Sequence, residues 1–445
     1  MFNKILIANR GEIALRIIRT CQEMGIETVA IHSTADENAM HVRLANESVC
    51  IGPPSPIKSY LNIPAIISAA EITGADAIHP GYGFLSENYN FAAITKEHGI
   101  EFIGPDSDHI RTMGNKVEAK KTAKKLGLPI LPGSDDKVTN IEEIKKIINK
   151  IGFPIIIKAA SGGGGRGMKI VNKEDNLHSI ISIASREAKS FFGDESLYIE
   201  KFLPNPKHIE IQILSDGQGN SLFYGERDCS IQRRHQKVIE ETPALGIPRD
   251  KISDLGEKSS IAMKKLGYKG VGTIEYLYEN NQFYFIEMNT RIQVEHTVTE
   301  ETYGIDLIKE QIMVAKGHKL NIKQNNISQS GHSIQCRILA EDPKTFIPSA
   351  GLVENYHPPG GHGIRVDSAL YNNYFVPPNY DSLISKLVIS ASNRSDCLNI
   401  LNRALKEYVI SGIKTNIPLL IDIINRKEFI NGDYDINWLE KNLDG

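Results

Sequence analysis

Between Glu287 and Glu295 the chain reads Glu-Met-Asn-Thr-Arg-Ile-Gln-Val-Glu, so every second residue (Glu287, Asn289, Arg291, Gln293, Glu295) is polar or charged. In an extended chain alternate side chains share a face. One face would then carry two carboxylates, two amides and a guanidinium. The other, Met288, Thr290, Ile292 and Val294, would mostly pack into a core. Carboxylate and amide oxygens two residues apart are hard ligands suited to Mg²⁺. The arginine and the distal glutamate suit an anion and proton transfer. An ordinary amphipathic strand shows the same alternation.

Glu275 adds to this set. Thr273–Tyr278 and Phe283–Met288 are predicted strands, joined through the turn composition Glu279-Asn280-Asn281-Gln282. A three-residue loop at Asn280–Gln282 sets Glu275 opposite Glu287, and a two-residue loop puts them on opposite faces. Facing like charges destabilise a sheet, and a divalent cation between them reverses that penalty. Glu275, Glu287 and Asn289 are the metal set this predicts.

A glycine loop, Ser161-Gly162-Gly163-Gly164-Gly165-Arg166-Gly167, lies between predicted strands Phe153–Ala159 and Met168–Val171. Consecutive glycines reach positive φ and bring backbone N–H groups close to a ligand, so the segment can fold over nucleotide phosphates with Lys158 beside it. A P-loop would place its lysine after the glycines and lead into a helix; here the lysine precedes and a strand follows. The alternative is a flexible linker. The run Gln232-Arg233-Arg234-His235-Gln236-Lys237 reads as cations positioned for a small anion or as a solvated basic face. His208 alone reads as structural. Ala262-Met263-Lys264-Lys265 looks like a biotinylation sequence but closes a helix at Leu266-Gly267.

The elements that must position these groups alternate strand and helix from residue 1 to about 113: Lys4–Ala8, Glu12–Met24, Glu27–His32, Ile63–Thr73, Ala75–His79. That alternation builds a parallel sheet, with ligands beyond the strand carboxyl ends. Only Gly11 stands where a nicotinamide fold needs Gly-x-Gly-x-x-Gly, so such an enzyme is rejected. The second region, 114 to 330, has a capping box at Thr139-x-x-Glu142 opening an isoleucine-striped helix that Gly152 closes. The third, 331 to 445, opens with strand Ser333–Leu339.

The 445 residues, 41% hydrophobic with net charge −3, fit two to four domains at roughly 100–200 residues each. They carry no global field for nucleic acid or membrane, and no apolar run approaches the roughly 20 residues of a span. Five scattered cysteines without a Cys-x-x-Cys pair fit neither zinc nor a disulfide framework. No signal or transit peptide is apparent.

Together these pieces resemble the biotin carboxylase subunits of acetyl-CoA carboxylase, in the ATP-grasp superfamily. The resemblance rests on Ala8-Asn9-Arg10-Gly11-Glu12-Ile13-Ala14, His79-Pro80-Gly81-Tyr82-Gly83-Phe84-Leu85-Ser86-Glu87-Asn88, the glycine loop, Glu226 to Lys237, and Phe285 to His296. It implies an α/β protein with three parts: an N-terminal Rossmann-like domain (1–113), an ATP-grasp domain (114–330) with a mobile lid at about 131–203, and a C-terminal mixed α/β domain (331–445). It implies ATP-dependent carboxylation of biotin by bicarbonate through carboxyphosphate, with Mg²⁺, or Mn²⁺ as substitute.

Residue by residue, the resemblance gives the nucleotide to Lys116, Lys158, Gly163, Gly164, Gly165, Glu200, Lys201, Leu203, His208, Gln232, His235, Glu275 and Glu287. It gives the metal to Glu275, Glu287 and Asn289, and bicarbonate to Lys237, Arg291, Gln293 and Val294. Glu295 is the implied general base, Arg337 the cation beside the biotin enolate with Arg291, and Tyr82 a neighbour of biotin. The implied partners are a biotin carboxyl carrier protein, carboxyltransferase subunits and a second copy of the chain. The implied location is bacterial cytoplasm or plastid stroma. Thr297 stands where the family usually has Pro, and altered loop rigidity is expected there. A different ATP-grasp ligase and a non-catalytic nucleotide-binding regulator are the rival readings.

Overall fold

A computed structural model describes residues 1–445 except 135, 160–167, 174–176, 193–194 and 444–445. Near the N-terminus, short apolar strands alternate with helices and pair in parallel: β1 (Lys4–Ile7), β2 (Glu27–Ser33), β3 (Glu47–Gly52), β4 (Ala77–His79) and β5 (Glu101–Phe102), in the order β3-β2-β1-β4-β5. The first helix, Gly11–Glu23, follows β1, and helix Ile63–Thr73 ends on the left-handed Gly74. Both loops expected at the carboxyl ends of strands lie there, after β1 and after β4.

A small antiparallel sheet follows: β6 (Ile155–Ala159) between β7 (Met168–Val171) and β8 (Leu197–Lys201). Helices Ile141–Ile151 and Leu177–Phe192 cover it, around a core that includes Ile144, Ile148, Ile155, Ile157, Leu177 and Ile181. Asn140, not Thr139, caps the first helix. Its side chain accepts from the Glu142 N–H, so the helix starts one residue later than a Thr139 box requires.

The largest sheet has eight strands: β9 (Lys207–Asp216), β10 (Ser221–Arg233), β11 (Gln236–Thr242), β12 (Lys269–Glu279), β13 (Gln282–Asn289), β14 (His332–Leu339), β17 (Ile364–Ser368) and β19 (Leu383–Ala391). Their order is β13-β12-β9-β10-β11-β14-β19-β17 and every pairing is antiparallel. Because β11 pairs with β14, the sheet runs across residue 330 into the C-terminal third. Two ribbons complete that third: β15 (Gly351–Val353) with β18 (Tyr374–Val376), and β16 (Tyr356–His357) with β20 (Val409–Ile410). Helix Arg249–Leu266 ends at left-handed Gly267, so Ala262–Lys265 is a helix end. Among the described residues no helix is long and apolar enough to cross a membrane.

Candidate active site

The hairpin between β12 and β13 turns on two residues, Asn280 and Asn281, both at positive φ, with Glu279 paired to Gln282. That is the two-residue loop that would separate Glu275 from Glu287. A bulge restores them: Tyr276 pairs with Phe285 but Glu275 pairs with Glu287, leaving Ile286 as the extra residue. On its other side Glu275 pairs with Glu210 of β9, and Glu210 pairs with Arg227 of β10. Four ionisable residues thus lie in one row across four adjacent strands.

The inner end of this row is fully satisfied. Arg227 is completely buried and donates to Glu210 Oε1, to Gln212 Oε1 at 2.6 Å, to Thr299 Oγ1 at 2.9 Å, to Thr273 Oγ1 at 3.1 Å and to Gln293 Oε1. The outer end is not. Among the described residues Glu287 has no hydrogen-bonded or ion-paired partner. Burial pushes its carboxyl pKa up, and the charge on Glu275 pushes it further, against the pull of Lys116. Two facing carboxylates, one raised by the other, are a donor set that fits a divalent cation.

Lys237, from β11, reaches across to this row. Its Nζ donates to Glu210 Oε2 at 2.6 Å, Glu275 Oε1 at 2.9 Å and Glu295 Oε1 at 2.6 Å. Burial opposes its charge, but these three carboxylates overcome that and raise its pKa well above the ordinary lysine value. Glu295 Oε2 accepts from Arg337 at 3.0 Å, and Arg337 also donates to Glu240 Oε1. Burial pushes Glu295 up, yet Lys237 and Arg337 prevail over it and over the charge on Glu210, holding Glu295 ionised below the usual carboxylate range.

The segment 287–295 is not one extended strand. β13 stops at Asn289, the chain turns, and Glu295 is the residue just before helix His296–Tyr303. The odd residues still converge, through that turn. Asn289 Nδ2 donates to Glu275 Oε1 at 2.8 Å, as does Gln293 Nε2 at 2.8 Å, and Arg291 donates to Asn289 Oδ1 at 2.8 Å and to Glu87 at 2.9 Å. His208 Nε2 lies 3.0 Å from Glu275 Oε2, so it belongs to the cluster rather than to a distant core.

Residues 1–110 match the family "Biotin carboxylase, N-terminal domain", 115–323 the family "Carbamoyl-phosphate synthase L chain, ATP binding domain", and 335–441 the family "Biotin carboxylase C-terminal domain". The chain is 55% identical to a biotin carboxylase of Haemophilus influenzae, covering 100% of this chain and 99% of that protein. The chain belongs to the biotin carboxylase family. A crystal structure of a biotin carboxylase–beta-gamma-ATP complex from Campylobacter jejuni is 49% identical with TM-score 0.91, covering 99% of both chains. The biotin carboxylase domain of a thermophilic 2-oxoglutarate carboxylase, bound to bicarbonate, is 46% identical with TM-score 0.95, covering 99% of this chain and 98% of that one. As a member of this family the chain is an ATP-dependent ligase that carboxylates biotin.

A second cluster lies around β8. Glu200, on β8, accepts from Lys158 at 2.6 Å and Lys120 at 2.7 Å. Burial opposes its ionisation, but the two lysines bring its pKa down to about 2. Lys201 donates to the carbonyls of Gly152 and Phe153, and Leu203 is buried. Lys116 begins helix Lys116–Leu126. Gly163, Gly164 and Gly165 lie outside the described residues.

The basic run is a hairpin, not one cationic patch. Gln232 pairs with Lys237, the tip is Arg234-His235 at positive φ, and Arg233 turns onto the ring of Phe346 at 3.7 Å. Only Lys237 joins the carboxylates, and His235 sits at the exposed tip. Tyr82 donates to Glu12, whose other oxygen lies 3.0 Å from Lys386 Nζ. Lys386 in turn donates to the Val294 carbonyl at 3.2 Å. Gly81 makes this approach possible: Asn9 Nδ2 bonds the carbonyls of Pro80 and Tyr82, and a Cβ at Gly81 would come within 3.0 Å of that amide. Thr297 is in no loop; it is the second residue of helix His296–Tyr303 and fully buried.

Sequence reasoning missed Glu210, Arg227, Lys120, Glu87 and Glu240 as members of these clusters. The signal for Glu210 was its spacing of two from His208, which puts both on one face of β9. Glu240 and Glu87 had none, because their places depend on strand order and domain packing.

Proposed function

We propose that this chain performs the first half-reaction of acetyl-CoA carboxylase, carboxylating biotin carried on a biotin carboxyl carrier protein and so feeding malonyl-CoA and fatty acid synthesis. The observation that supports it best is Glu295, held ionised between Lys237 and Arg337 beside the Glu275–Glu287 pair. Domains at 1–113, 114–330 and 331–445, with residues 131–203 closing over ATP, belong to the same proposal.

Lys116, Lys158, Gly163, Gly164, Gly165 and His208 bind the nucleotide phosphates, with Gln232 and His235 at the hairpin. Glu200, Lys201 and Leu203 border the adenine. Glu275, Glu287 and Asn289 would hold Mg²⁺, or Mn²⁺ in its place, which when bound neutralises charge on the phosphates of ATP. Lys237, Arg291, Gln293 and Val294 hold bicarbonate. Glu295 accepts the bicarbonate proton as the oxygen attacks the γ-phosphorus and ADP leaves. Carboxyphosphate then breaks to CO₂ and phosphate, and the phosphate takes the N1 proton of biotin. The enolate attacks CO₂ while Arg337 and Arg291 stabilise its oxygen and Tyr82 borders the ring. The chain works as a homodimer with carboxyltransferase subunits, in bacterial cytoplasm or plastid stroma.

The test is ATP hydrolysis with Mg²⁺ and bicarbonate, with and without free biotin. Stimulation by biotin that vanishes without bicarbonate supports the site. Hydrolysis indifferent to biotin refutes it. Carrier protein and carboxyltransferase are then added with acetyl-CoA or pyruvate as acceptor. Malonyl-CoA supports the acetyl-CoA carboxylase role, and oxaloacetate refutes it.

A further inference from the structure

Thr297 ends in a polar relay that returns to the proposed base. Its hydroxyl donates to Gln335 Oε1 on β14, and Gln335 Nε2 donates to Glu240 Oε2 at 2.9 Å. Glu240 Oε1 accepts from Arg337 Nε, and Arg337 donates to Glu295 Oε2 at 3.0 Å. Glu295 immediately precedes the helix in which Thr297 is the second residue. The relay is therefore a closed ring: Glu295, the first helical turn, Thr297, Gln335, Glu240, Arg337 and back to Glu295. Thr297, Gln335 and Glu240 are all completely buried.

A proline fits the first turn of a helix and would satisfy the backbone here without supplying a donor. The threonine adds one. An amide has two ends, and the end facing Glu240 must be the NH₂, because an oxygen there would oppose a carboxylate. A hydroxyl donating to Oε1 fixes that orientation. Without it Oε1 is buried and unpaired.

We propose that Thr297 is a positioning residue for biotin carboxylation: its hydroxyl orients Gln335, which fixes Glu240 and through it the Arg337 guanidinium beside Glu295. This rests on the assignment of Arg337 to biotin made above.

The experiment compares Thr297→Val, Thr297→Ser, Gln335→Leu and Arg337→Ala by two rates: biotin carboxylation, and bicarbonate-dependent ATP cleavage without biotin. Thr297→Val lowers biotin carboxylation about tenfold, the size of one ordinary buried hydrogen bond, and lowers ATP cleavage by a much smaller factor. Thr297→Ser restores the rate. Adding Thr297→Val to Gln335→Leu has no further effect, since the two act in series. Full biotin carboxylation by Thr297→Val, no rescue by serine, or an equal fall in both rates overturns the proposal. Arg337→Ala is the control for its premise. If that variant loses both rates alike, the biotin assignment of Arg337 fails. If it loses biotin carboxylation selectively while Thr297→Val does not, only the relay fails.

Discussion

The eight-stranded sheet and the lid sheet hold their charges in opposite ways. In the large sheet, Lys237 meets three carboxylates on three separate elements, and Arg227 spends its N–H groups on five acceptors, all away from water. In the proposed lid, Lys158 is 38% exposed and, among the described residues, meets Glu200, which also holds Lys120. The first arrangement is fixed before any substrate arrives, as electrostatic stabilisation of a developing charge requires. On the proposed function the second is one that an incoming phosphate takes over, with Lys158 exchanging a carboxylate for a phosphate. On the proposed function, the large sheet serves the reaction and the smaller sheet serves capture of the nucleotide.

Separating kcat from KM tests that division. Glu295→Gln keeps the shape but not the base. Turnover should fall roughly 10²- to 10⁴-fold while nucleotide titration shows ATP binding intact. Weakened ATP binding in that variant would blur the division. Arg227→Met leaves Glu210 buried without its guanidinium, and urea unfolding should show a loss of about 3–5 kcal/mol. A loss near zero would mean the row is not a rigid unit. Lys158→Met should raise the KM for ATP about tenfold, the cost of one charge-assisted contact of about 1.4 kcal/mol, with kcat little changed. A kcat effect as large as that of Glu295→Gln would put the lid in the chemistry.

The smallest effect is a pH dependence. Glu200 has its pKa lowered to about 2, so its ion pairs stabilise the fold above the unfolded value of about 4.3 and lose that contribution as pH falls from there toward 2. Because Lys158 is partly exposed, the contribution is about 1 kcal/mol. The stability difference between wild type and Glu200→Gln should therefore be constant from pH 7 to 5 and shrink below pH 4.3. A difference that persists at pH 3 would locate the effect in packing.

Much of this was legible in the chain. Strand-helix alternation gave the parallel sheet, because that signal is local; Glu275 and Glu287 face each other through a bulge at Ile286 that offsets a two-residue turn, which period two alone reads as separating them. What was lost depends on partners far away in sequence. Lys237 and Arg233 look alike in a basic run, yet one faces three glutamates and the other a phenylalanine ring, since the hairpin that carries them alternates faces. Arg291, Gln293 and Glu295 converge through a turn and a helix cap that alternation alone does not distinguish from a strand. The sheet's continuation past residue 330 is invisible to any window shorter than the β11–β14 separation.

The bulge at Ile286 carries a lesson about counting. Which glutamate faces which is decided by parity: the number of loop residues plus the number of inserted strand residues must be odd. Here two plus one satisfies it, and three plus zero would do so equally. The turn and the bulge are therefore free to drift jointly but not individually. A one-residue deletion at either place inverts the phase of everything beyond it, whereas a deletion at one matched by an insertion at the other returns Glu275 to Glu287. An isolated gap in this hairpin between two related chains would therefore signal a change of chemistry, and a compensated pair of gaps would not.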